Sequence, residues 1–369
     1  MGAVAAKPAE IETLDPAKEA DLAKEKRKEN LFSSINKASK FLDIFALSWV
    51  TPILMMAAGD DVKRNLKLVW ERLGIPLLAI IVFLVGWAQL APQVKTSLGA
   101  IPGPVQVWEQ FEVLNLDHQQ EMQKADAFYD RQDARNAALV EAGRGDEVVD
   151  RAYTGKRTFY QQIWTSLLTV AFGFFLAVAI GAPIGIMMGM SKAFNSAVNP
   201  LIQIFKPVSP LAWLPIVTMV VSASIATGSG ISKSFLTSAI TVTLCSIWPT
   251  LITTALGVSS VDKDLVNVGK VLKLKAHTKI TKLVLPSALP LIFTGMRLSL
   301  GVGWMVLIAA EMLAQNPGLG KFVWDEFQNG SSNSLAKIMV AVLVIGIIGF
   351  LLDRVMYALQ TMFTHTAHR

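Results

Sequence analysis

The sequence predicts an all-α membrane protein with six transmembrane helices, a polar N-terminal arm and a helical insertion outside the membrane. Of its 369 residues, 52% are hydrophobic and only 17% are charged, whereas a soluble domain carries about 25% charged residues. The hydrophobic residues form long blocks between charged stretches, as in a chain that crosses a bilayer several times. Lys and Arg crowd the arm and one loop, which is typical of a membrane protein with one basic side rather than of a nucleic-acid binder.

The N-terminal region is predicted to stay outside the bilayer core. Residues 1–40 form a polar cytoplasmic arm, without the apolar run and small-residue cleavage site of a secretory signal peptide. Residues 41–72 are predicted to form interfacial and amphipathic helices, because Phe41, Phe45 and Trp49 recur at helical spacing. A segment that packs against the later spans is the alternative for the first part of this stretch.

Residues 73–108 are predicted to contain the first span, over residues 74–90, followed by a periplasmic loop with turn-forming Pro and Gly. Residues 109–157 form an insertion rich in charged residues and helix formers, with a helix-breaking Gly-Arg-Gly run at 143–145. We expect a long helix or a helical hairpin outside the membrane. A solvated insertion without chemistry of its own is the alternative.

Residues 158–362 are predicted to form the main transmembrane core, and residues 363–369 a cytoplasmic tail. The five further spans are expected over residues 162–190, 200–224, 234–256, 285–313 and 336–362. Six lysines lie in the loop at 257–284, whereas the opposite short loop holds only Lys233. Because cytoplasmic loops carry the excess of basic residues, we expect this loop and both termini in the cytoplasm and the insertion outside.

The cytoplasmic loop carries the pattern of a short amphipathic helix. Leu265, Val268 and Leu272 recur at i, i+3 and i+7, which places them on one helical face. Ser259 and Asp262 resemble a capping box at its start. Such a stripe either packs on the protein's own spans or docks into a partner, and the periodicity leaves both open.

Six segments share the pattern of one family. They read Ile-Pro-Gly-Pro-Val-Gln-Val-Trp at 101–108, Phe-Lys-Pro-Val-Ser-Pro-Leu-Ala-Trp-Leu-Pro at 205–215, Asn-Val-Gly-Lys-Val-Leu at 267–272, Val-Leu-Pro-Ser-Ala-Leu-Pro at 284–290, Phe-Thr-Gly-Met-Arg-Leu at 293–298 and Ala-Ala-Glu-Met-Leu at 309–313. Together they resemble the inner-membrane permease subunit of binding-protein-dependent ABC importers, in the nitrate/sulfonate/bicarbonate/taurine branch and nearest to its nitrate/nitrite permeases. The resemblance covers roughly residues 74–108 and 159–361 and leaves out the insertion.

The resemblance implies the six-helix fold of an ABC importer permease of type I, with a coupling helix that docks into a partner ATPase. The residues implied at that contact are Leu265, Asn267, Val268, Gly269, Val271, Leu272, Lys273 and Leu274. The wider superfamily has Glu-Ala-Ala at the positions of Asn267, Val268 and Gly269, and a Gly at the position of Lys273. The nitrate branch commonly lacks that Glu.

The resemblance also implies the partners and the cargo. A second copy of this chain would form a homodimer in the bacterial inner membrane, with two ABC ATPase subunits on the cytoplasmic side and a periplasmic solute-binding protein. ATP and Mg would bind to the ATPase subunits, and this chain would bind no cofactor. Nitrate, with nitrite, is the expected cargo of alternating-access import. Bicarbonate, cyanate, taurine and alkanesulfonates are the alternatives.

Polar residues within the spans are candidates for the translocation path, because charge in a bilayer is costly. The candidates are Gln203, Lys206, Ser209, Arg297, Trp304 and Glu311. Arg297 and Glu311 lie on one face of the fifth span but about 21 Å apart, so Arg297 needs another partner. The alternatives are a structural ion pair for Arg297, snorkelling to the interface for Lys206, and helix packing or binding-protein contact for Glu311.

Two further patterns bear on helix packing. Pro207, Pro210 and Pro215 should kink the third span and free carbonyl groups, which must face protein or a wet cavity. This span is therefore expected to line the path. Small residues repeat every fourth position at 181, 185 and 189 of the second span, as in close helix contacts. That contact is either a dimer seam or an internal one.

The chain is predicted not to be an enzyme. The sequence shows neither a Ser/His/Asp set nor a metal-binding cluster. The Gly-Ser-Gly-Ile-Ser-Lys-Ser run at 228–234 lacks the Gly that precedes Lys in a P-loop, so ATP would be hydrolysed by another chain. A secondary anion transporter that works without ATP is the rival from another class, and it predicts inverted repeats and paired carboxylates in broken helices.

Overall fold

The computed structural model describes residues 16–44, 47–96, 99–225, 230, 232–331 and 333–364. These residues are almost entirely helical, which confirms the predicted all-α class. The helices are α1 (Pro16–Ile44), α2 (Val50–Ala57), α3 (Val62–Val69), α4 (Ile75–Leu90), α5 (Pro104–Glu141), α6 (Phe159–Met190), α7 (Lys192–Phe205), α8 (Pro210–Ser224), α9 (Lys233–Ser259), α10 (Lys263–Val271), α11 (Ala276–Lys279), α12 (Leu285–Ala314), α13 (Leu319–Asn329) and α14 (Ser334–Thr364). Two strands, β1 (Lys95–Thr96) and β2 (Gly99–Ala100), pair antiparallel. Residues 228, 229 and 231 of the Gly/Ser run at 228–234 lie outside the described residues.

Five helical stretches among the described residues are long and apolar enough to cross a membrane. They are Val62–Gln93, Phe159–Met190, Lys233–Ser259, His277–Ala314 and Ser334–Thr364. They coincide with five of the six predicted spans. The sixth candidate is the pair α7 and α8, which qualify together but are bent by 101°.

The prediction of one kinked helix over residues 200–224 is wrong, because the chain breaks completely between α7 and α8. Ser209, which precedes Pro210, adopts an extended conformation, as the residue before a proline generally does. Its hydroxyl group then accepts a hydrogen bond from the Leu211 amide at 3.3 Å, which caps a new helix. Pro210 stands at the first position of that helix, where its missing amide hydrogen does no harm.

The described residues up to Phe83 form one compact unit, and its helices differ from the prediction. The predicted end of the arm at residue 40 does not match a helix boundary, because α1 continues to Ile44 and the next helix, α2, starts at Val50. Phe45 and the side chain of Phe41 lie outside the described residues. The start of α3 is capped by the Asp61 carboxylate, which accepts hydrogen bonds from two backbone amides.

Residues 84–369 form the second compact unit, in which α9 packs between α6 and α12. The small residues of the second span face α9. A Cβ atom at Gly185 would lie 2.6 Å from the Leu251 carbonyl oxygen, and one at Gly189 would lie 2.6 Å from the Ala255 carbonyl oxygen. Within the described unit, the repeat at 181, 185 and 189 is therefore an internal helix contact.

Gly185→Ala and Gly346→Ala are expected to change stability in opposite directions. Alanine favours a helix over glycine by about 1 kcal/mol, and a Cβ atom at Gly346 meets nothing within 4 Å. At Gly185 the added carbon would push α6 away from α9, and overpacking of this kind costs about 1–3 kcal/mol. Thermal unfolding in detergent should show a lower Tm for Gly185→Ala and an equal or higher Tm for Gly346→Ala. Equal effects at both positions would contradict the assigned contact.

The insertion is one long helix with an extended return, and it begins earlier than predicted. Helix α5 starts at Pro104 rather than at 109, and it continues without a break to Glu141. Residues 150–158 then run back along it, from the contact of Asp150 with Asn136 to the contact of Thr158 with His118. Eight extended residues cover about 26 Å and eighteen helical residues about 27 Å, so the two segments match in length.

Helix α13 lies between the fifth and sixth spans and was not predicted from the sequence. It has 11 residues and is mixed in polarity. It contacts α6, α12 and α14, so it belongs to the folded core of the second unit.

Candidate functional site

The loop between α9 and α12 forms a separate short helix, α10. The Asp262 carboxylate accepts a hydrogen bond from the Asp264 amide at 2.9 Å and so caps α10. The predicted capping box is wrong, because Ser259 belongs to α9 and donates its hydroxyl hydrogen to the Leu256 carbonyl. Helix α9 is therefore longer, and α10 shorter, than the sequence pattern indicates.

The apolar side chains at the end of α10 are uncovered. Val271 is 81% exposed and Leu272 63% exposed, while Leu265 is 41% exposed. Asn267 is also exposed. Apolar side chains that the chain itself leaves uncovered in this way indicate an interaction site. The side chain of Val268 lies outside the described ones.

Gly269 holds α10 against the helical turn that leads into α12. It is buried, and a Cβ atom there would lie 2.9 Å from Leu283. Its carbonyl oxygen accepts a hydrogen bond from the half-buried Leu274 at 3.1 Å. The packed residue Gly269 is not part of the predicted stripe, whose described members Leu265 and Leu272 are exposed. Docking of the stripe into a partner stays a prediction.

Lys273, also exposed, adopts a left-handed backbone conformation with φ 47°. Glycine adopts this conformation without steric cost. The superfamily that this chain resembles has a Gly at the same position. The turn after α10 therefore places a lysine in a backbone conformation that favours glycine.

Arg297 in α12 forms an ion pair with Asp353 in α14. Its Nε atom and its Nη2 atom donate to the two carboxylate oxygens of Asp353. The side chains are 34% and 35% exposed. In this structure Arg297 therefore forms an ion pair within the chain, as the alternative to a path residue predicted. Asp353 and the adjacent Arg354 were not among the predicted site residues, although ionisable residues within an apolar block are a signal of function.

Trp304 lies in the buried contact of α12 with α14. It is 6% exposed, and its indole nitrogen donates to the Ile345 carbonyl at 3.0 Å. A Cβ atom at Gly349 would lie 3.1 Å from the indole ring. In this structure Trp304 fills a helix interface rather than facing an open cavity.

Glu311 is fully buried and ties three helices together. The Ser166 hydroxyl of α6 lies 2.9 and 2.8 Å from its two carboxylate oxygens, and the Gly320 amide of α13 donates to it at 2.9 Å. The Asn316 side-chain amide is a weaker donor at 3.5 Å. Ser166 in turn accepts from the Leu319 amide at 2.8 Å. Glu311 and Ser166 thus each accept from one amide at the start of α13, where a helix leaves its amides without partners of its own.

Gln203, Lys206 and Ser209 lie near the bend between α7 and α8, and all three are exposed. Among the described residues the Lys206 side chain forms no ion pair. In the described part of the chain, no hydrogen bond or ion pair joins this bend to Arg297 or Glu311, which bind other partners. The six predicted path residues therefore occupy four different places rather than one site.

A cavity of ≈ 590 Å³ lies between α5, the return segment and α13. Its lining carries charges of both signs. Lys337 pairs with Glu326 at 3.3 Å, and Lys124 pairs with Glu121 at 3.2 Å. Arg157 also lines the cavity and has no ion pair among the described residues. The cavity is a polar surface suited to a charged partner rather than to an apolar ligand.

Glu121 fixes the return segment on α5. It accepts hydrogen bonds from the Tyr153 hydroxyl at 2.8 Å and from the Lys156 amide at 3.0 Å. The hydrogen bond from Tyr153, followed by that from Lys124, lowers the pKa of Glu121 below its usual value of 4.5. The same bond raises the pKa of Tyr153.

Acid is expected to release the return segment only below pH 4.5. Because folding depresses the Glu121 pKa, its contribution to stability is complete above the unfolded value and disappears as the pH falls through the folded one. Hydrogen exchange at residues 150–157, corrected for the intrinsic rate, should show this loss. Tyr153→Phe should move the loss to higher pH, whereas Tyr160→Phe should not. The same transition pH in both variants would contradict the role of this bond.

Comparisons with known proteins agree with this architecture. Residues 181–365, half of the chain, match the profile of the family described as binding-protein-dependent transport system inner membrane component. The nitrate import permease protein NrtB of Synechocystis sp. is 34% identical over 78% of this chain and 88% of its own length. NrtB of Synechococcus elongatus is 38% identical over 52% of this chain and 66% of its own length. The bicarbonate transport system permease protein CmpB of Synechococcus elongatus is 38% identical over 58% and 72%, respectively.

Proposed function

This chain belongs to the binding-protein-dependent transport system inner membrane components, and on that premise we propose that it is the permease subunit of an ATP-driven importer of a small anion. It works as a homodimer by alternating access. Two ABC ATPase subunits, which hold ATP and Mg, drive the movement from the cytoplasmic side.

The observation that carries this proposal is the uncovered apolar end of α10. Val271 and Leu272 project from a loop whose other side packs, through Gly269, on Leu283 in the helical turn that leads into α12. A partner that binds these side chains and displaces α10 can also move α12, because buried packing transmits a displacement from one element to the next. This is the arrangement expected of a coupling helix that docks into an ATPase.

Nitrate, with nitrite, is the proposed cargo, and bicarbonate is the second candidate. The relatives named NrtB and CmpB are equally similar to this chain, at 38% identity each in Synechococcus elongatus. Nitrate is preferred because the segment at 267–272 resembles the nitrate branch. Both anions are small and planar, so one path could carry either. Taurine and alkanesulfonates are larger and are proposed to be excluded.

The insertion is proposed to lie in the periplasm and to contact the solute-binding protein. The lysines of the loop at 257–284 support an orientation with that loop inside, which places α5 on the other side. The charged cavity beside α5 offers groups of both signs for such a contact. Because His118 and Thr158 meet at 2.9 Å, residues 119–157 can be replaced by a short Gly/Ser linker without separating the flanking helices.

Loss of residues 119–157 is expected to weaken binding of the solute-binding protein at least about tenfold, a loss of about 1.4 kcal/mol. The measurement is titration of the solute-binding protein against the complete transporter in nanodiscs. The ATPase subunits should still co-purify. Unchanged affinity would show that the insertion is not part of the docking surface.

ATP hydrolysis by the complete transporter in proteoliposomes tests the proposed function. The solute-binding protein loaded with nitrate should stimulate hydrolysis and ATP-dependent uptake, and taurine should not. Stimulation by bicarbonate alone would reassign the cargo. Uptake that proceeds without ATP would identify the rival secondary transporter instead.

A further inference from the structure

The ion pair between Arg297 and Asp353 leaves one positive charge over in the same cluster. Arg354 follows Asp353 directly, and its nearest contact with that carboxylate is 3.9 Å, beyond hydrogen-bonding distance. Both Asp353 oxygens are already taken by Arg297. Asp353 is the sole acidic residue in the sequence of α14. Two guanidinium groups therefore share one carboxylate.

This surplus charge lies well inside the apolar helices. Arg354 stands ten residues before the end of α14, about 15 Å along the axis, and Arg297 twelve residues after the start of α12, about 18 Å. Exposed apolar side chains surround it, among them Leu351 and Val355. A cation at such depth requires a counter-charge or a wet cavity, and it is a candidate for function.

Aromatic rings hold the Arg354 side chain in place, but its hydrogen-bond donors are not all paired. Its guanidinium group lies over the rings of Phe350 and Tyr357, at 5.1 and 5.7 Å from their centroids. Such contacts orient an arginine without using its N–H donors. Its Nε atom is buried and makes no hydrogen bond to any described residue, and a buried donor without a partner calls for an explanation. The side chain as a whole is 32% exposed, so a ligand can reach it.

We propose that Arg354 is an anion contact within the transmembrane region and that it takes a small planar oxyanion such as nitrate or bicarbonate. This inference rests on the proposed function and adds the residue that meets the cargo. A guanidinium group offers two parallel N–H donors, which match two oxygens of a planar anion. Asp353 at 3.9 Å weakens the positive field, and a passing ion must be held loosely enough to leave. The cluster of Arg297, Asp353 and Arg354 carries one net positive charge, and this charge attracts the anion.

The test is anion-dependent thermal stability of the permease with its ATPase subunits, in detergent and without the solute-binding protein. Sodium nitrate is compared with sodium gluconate at equal ionic strength, because gluconate is too bulky for a planar site. A ligand that binds only the folded state raises the Tm, and we expect a rise of about 2 °C or more for the wild type. Arg354→Gln should lose this rise, Arg354→Lys should keep part of it, and Arg131→Gln, which removes an exposed arginine of α5, should keep all of it.

Uptake by the same variants separates this inference from the proposed function. Arg354→Gln should slow ATP-dependent nitrate uptake about tenfold or more, the effect of losing a hydrogen bond to a charged group, while Arg131→Gln should not. If the wild type takes up neither nitrate nor bicarbonate, the proposed function fails. If it takes up nitrate and Arg354→Gln retains both uptake and the nitrate-dependent Tm, only the inference fails. If Arg354→Gln does not assemble with the ATPase subunits, Arg354→Lys decides. An assembled Arg354→Lys transporter without any nitrate-dependent rise in Tm would also overturn the inference.

Discussion

Replacing Glu311 by alanine is expected to lower the stability of the transmembrane core by about 3–5 kcal/mol, the range for breaking a buried polar cluster. Glu311 is fully buried, and its loss would leave the Gly320 amide and the Ser166 hydroxyl without their acceptor. Helix α13 should then detach at its N-terminal end. Thermal unfolding of the detergent-solubilised protein measures this change.

Two variants serve as controls for that result. Glu311→Gln retains one oxygen acceptor but adds an amide donor opposite other donors, so its Tm should fall between those of the wild type and Glu311→Ala. Glu109→Ala removes an exposed carboxylate from α5 and should change the free energy of unfolding by less than about 0.5 kcal/mol. If Glu311→Ala unfolds at the wild-type temperature, Glu311 does not hold α13.

Replacing both Val271 and Leu272 by aspartate is expected to abolish binding of the ATPase subunits while leaving the permease folded. These side chains are 81% and 63% exposed, so the change costs little in the isolated chain. In a docked complex each aspartate would be buried against an apolar groove, which is costly for an unpaired charge. The affinity should fall at least about a hundredfold, as for a central interface position.

Val140→Asp is the matched control, because Val140 is 61% exposed on α5, outside the spans. It should leave both co-purification of the ATPase subunits and the Tm unchanged. Retained co-purification in the double variant would show that the ATPase subunits bind elsewhere.

The spans followed from the sequence because a bilayer demands long apolar helices, and such blocks are visible without any knowledge of packing. The break between α7 and α8 was not foreseen. Prolines at 207 and 210 indicate a kink, but the 101° bend depends on the extended Ser209 and its capping hydroxyl. Helix α13 was missed because it is short and its burial comes from tertiary contacts rather than from its own periodicity.

Sequence patterns pointed to residues of the candidate sites only where the signal is local. Helical periodicity within one loop indicated Leu272 but not Val271, and Arg297 was predicted to need a partner outside its own span. Its partner Asp353 lies 56 residues further along the chain, and the partner of Glu311, Ser166, lies 145 residues away. Sequence spacing carries no information about such pairs. Asp353 and Arg354 are adjacent and opposite in charge. The rest of their block is apolar, so the block was predicted as an ordinary span.

Cross-linking from position 272 tests the central proposal most directly. Leu272→Cys in a Cys245→Ser background provides a single thiol, and Val140→Cys in the same background provides one on the insertion. We predict that a maleimide–benzophenone cross-linker attached to the thiol, which on illumination inserts into C–H bonds of a neighbouring chain, joins Leu272→Cys, and not Val140→Cys, to an ATPase subunit in the active transporter. A thiol at position 272 that reacts only with impermeant reagents added from the periplasmic side, or that forms no cross-link in a transporter that hydrolyses ATP, would contradict an ATP-driven permease coupled through α10.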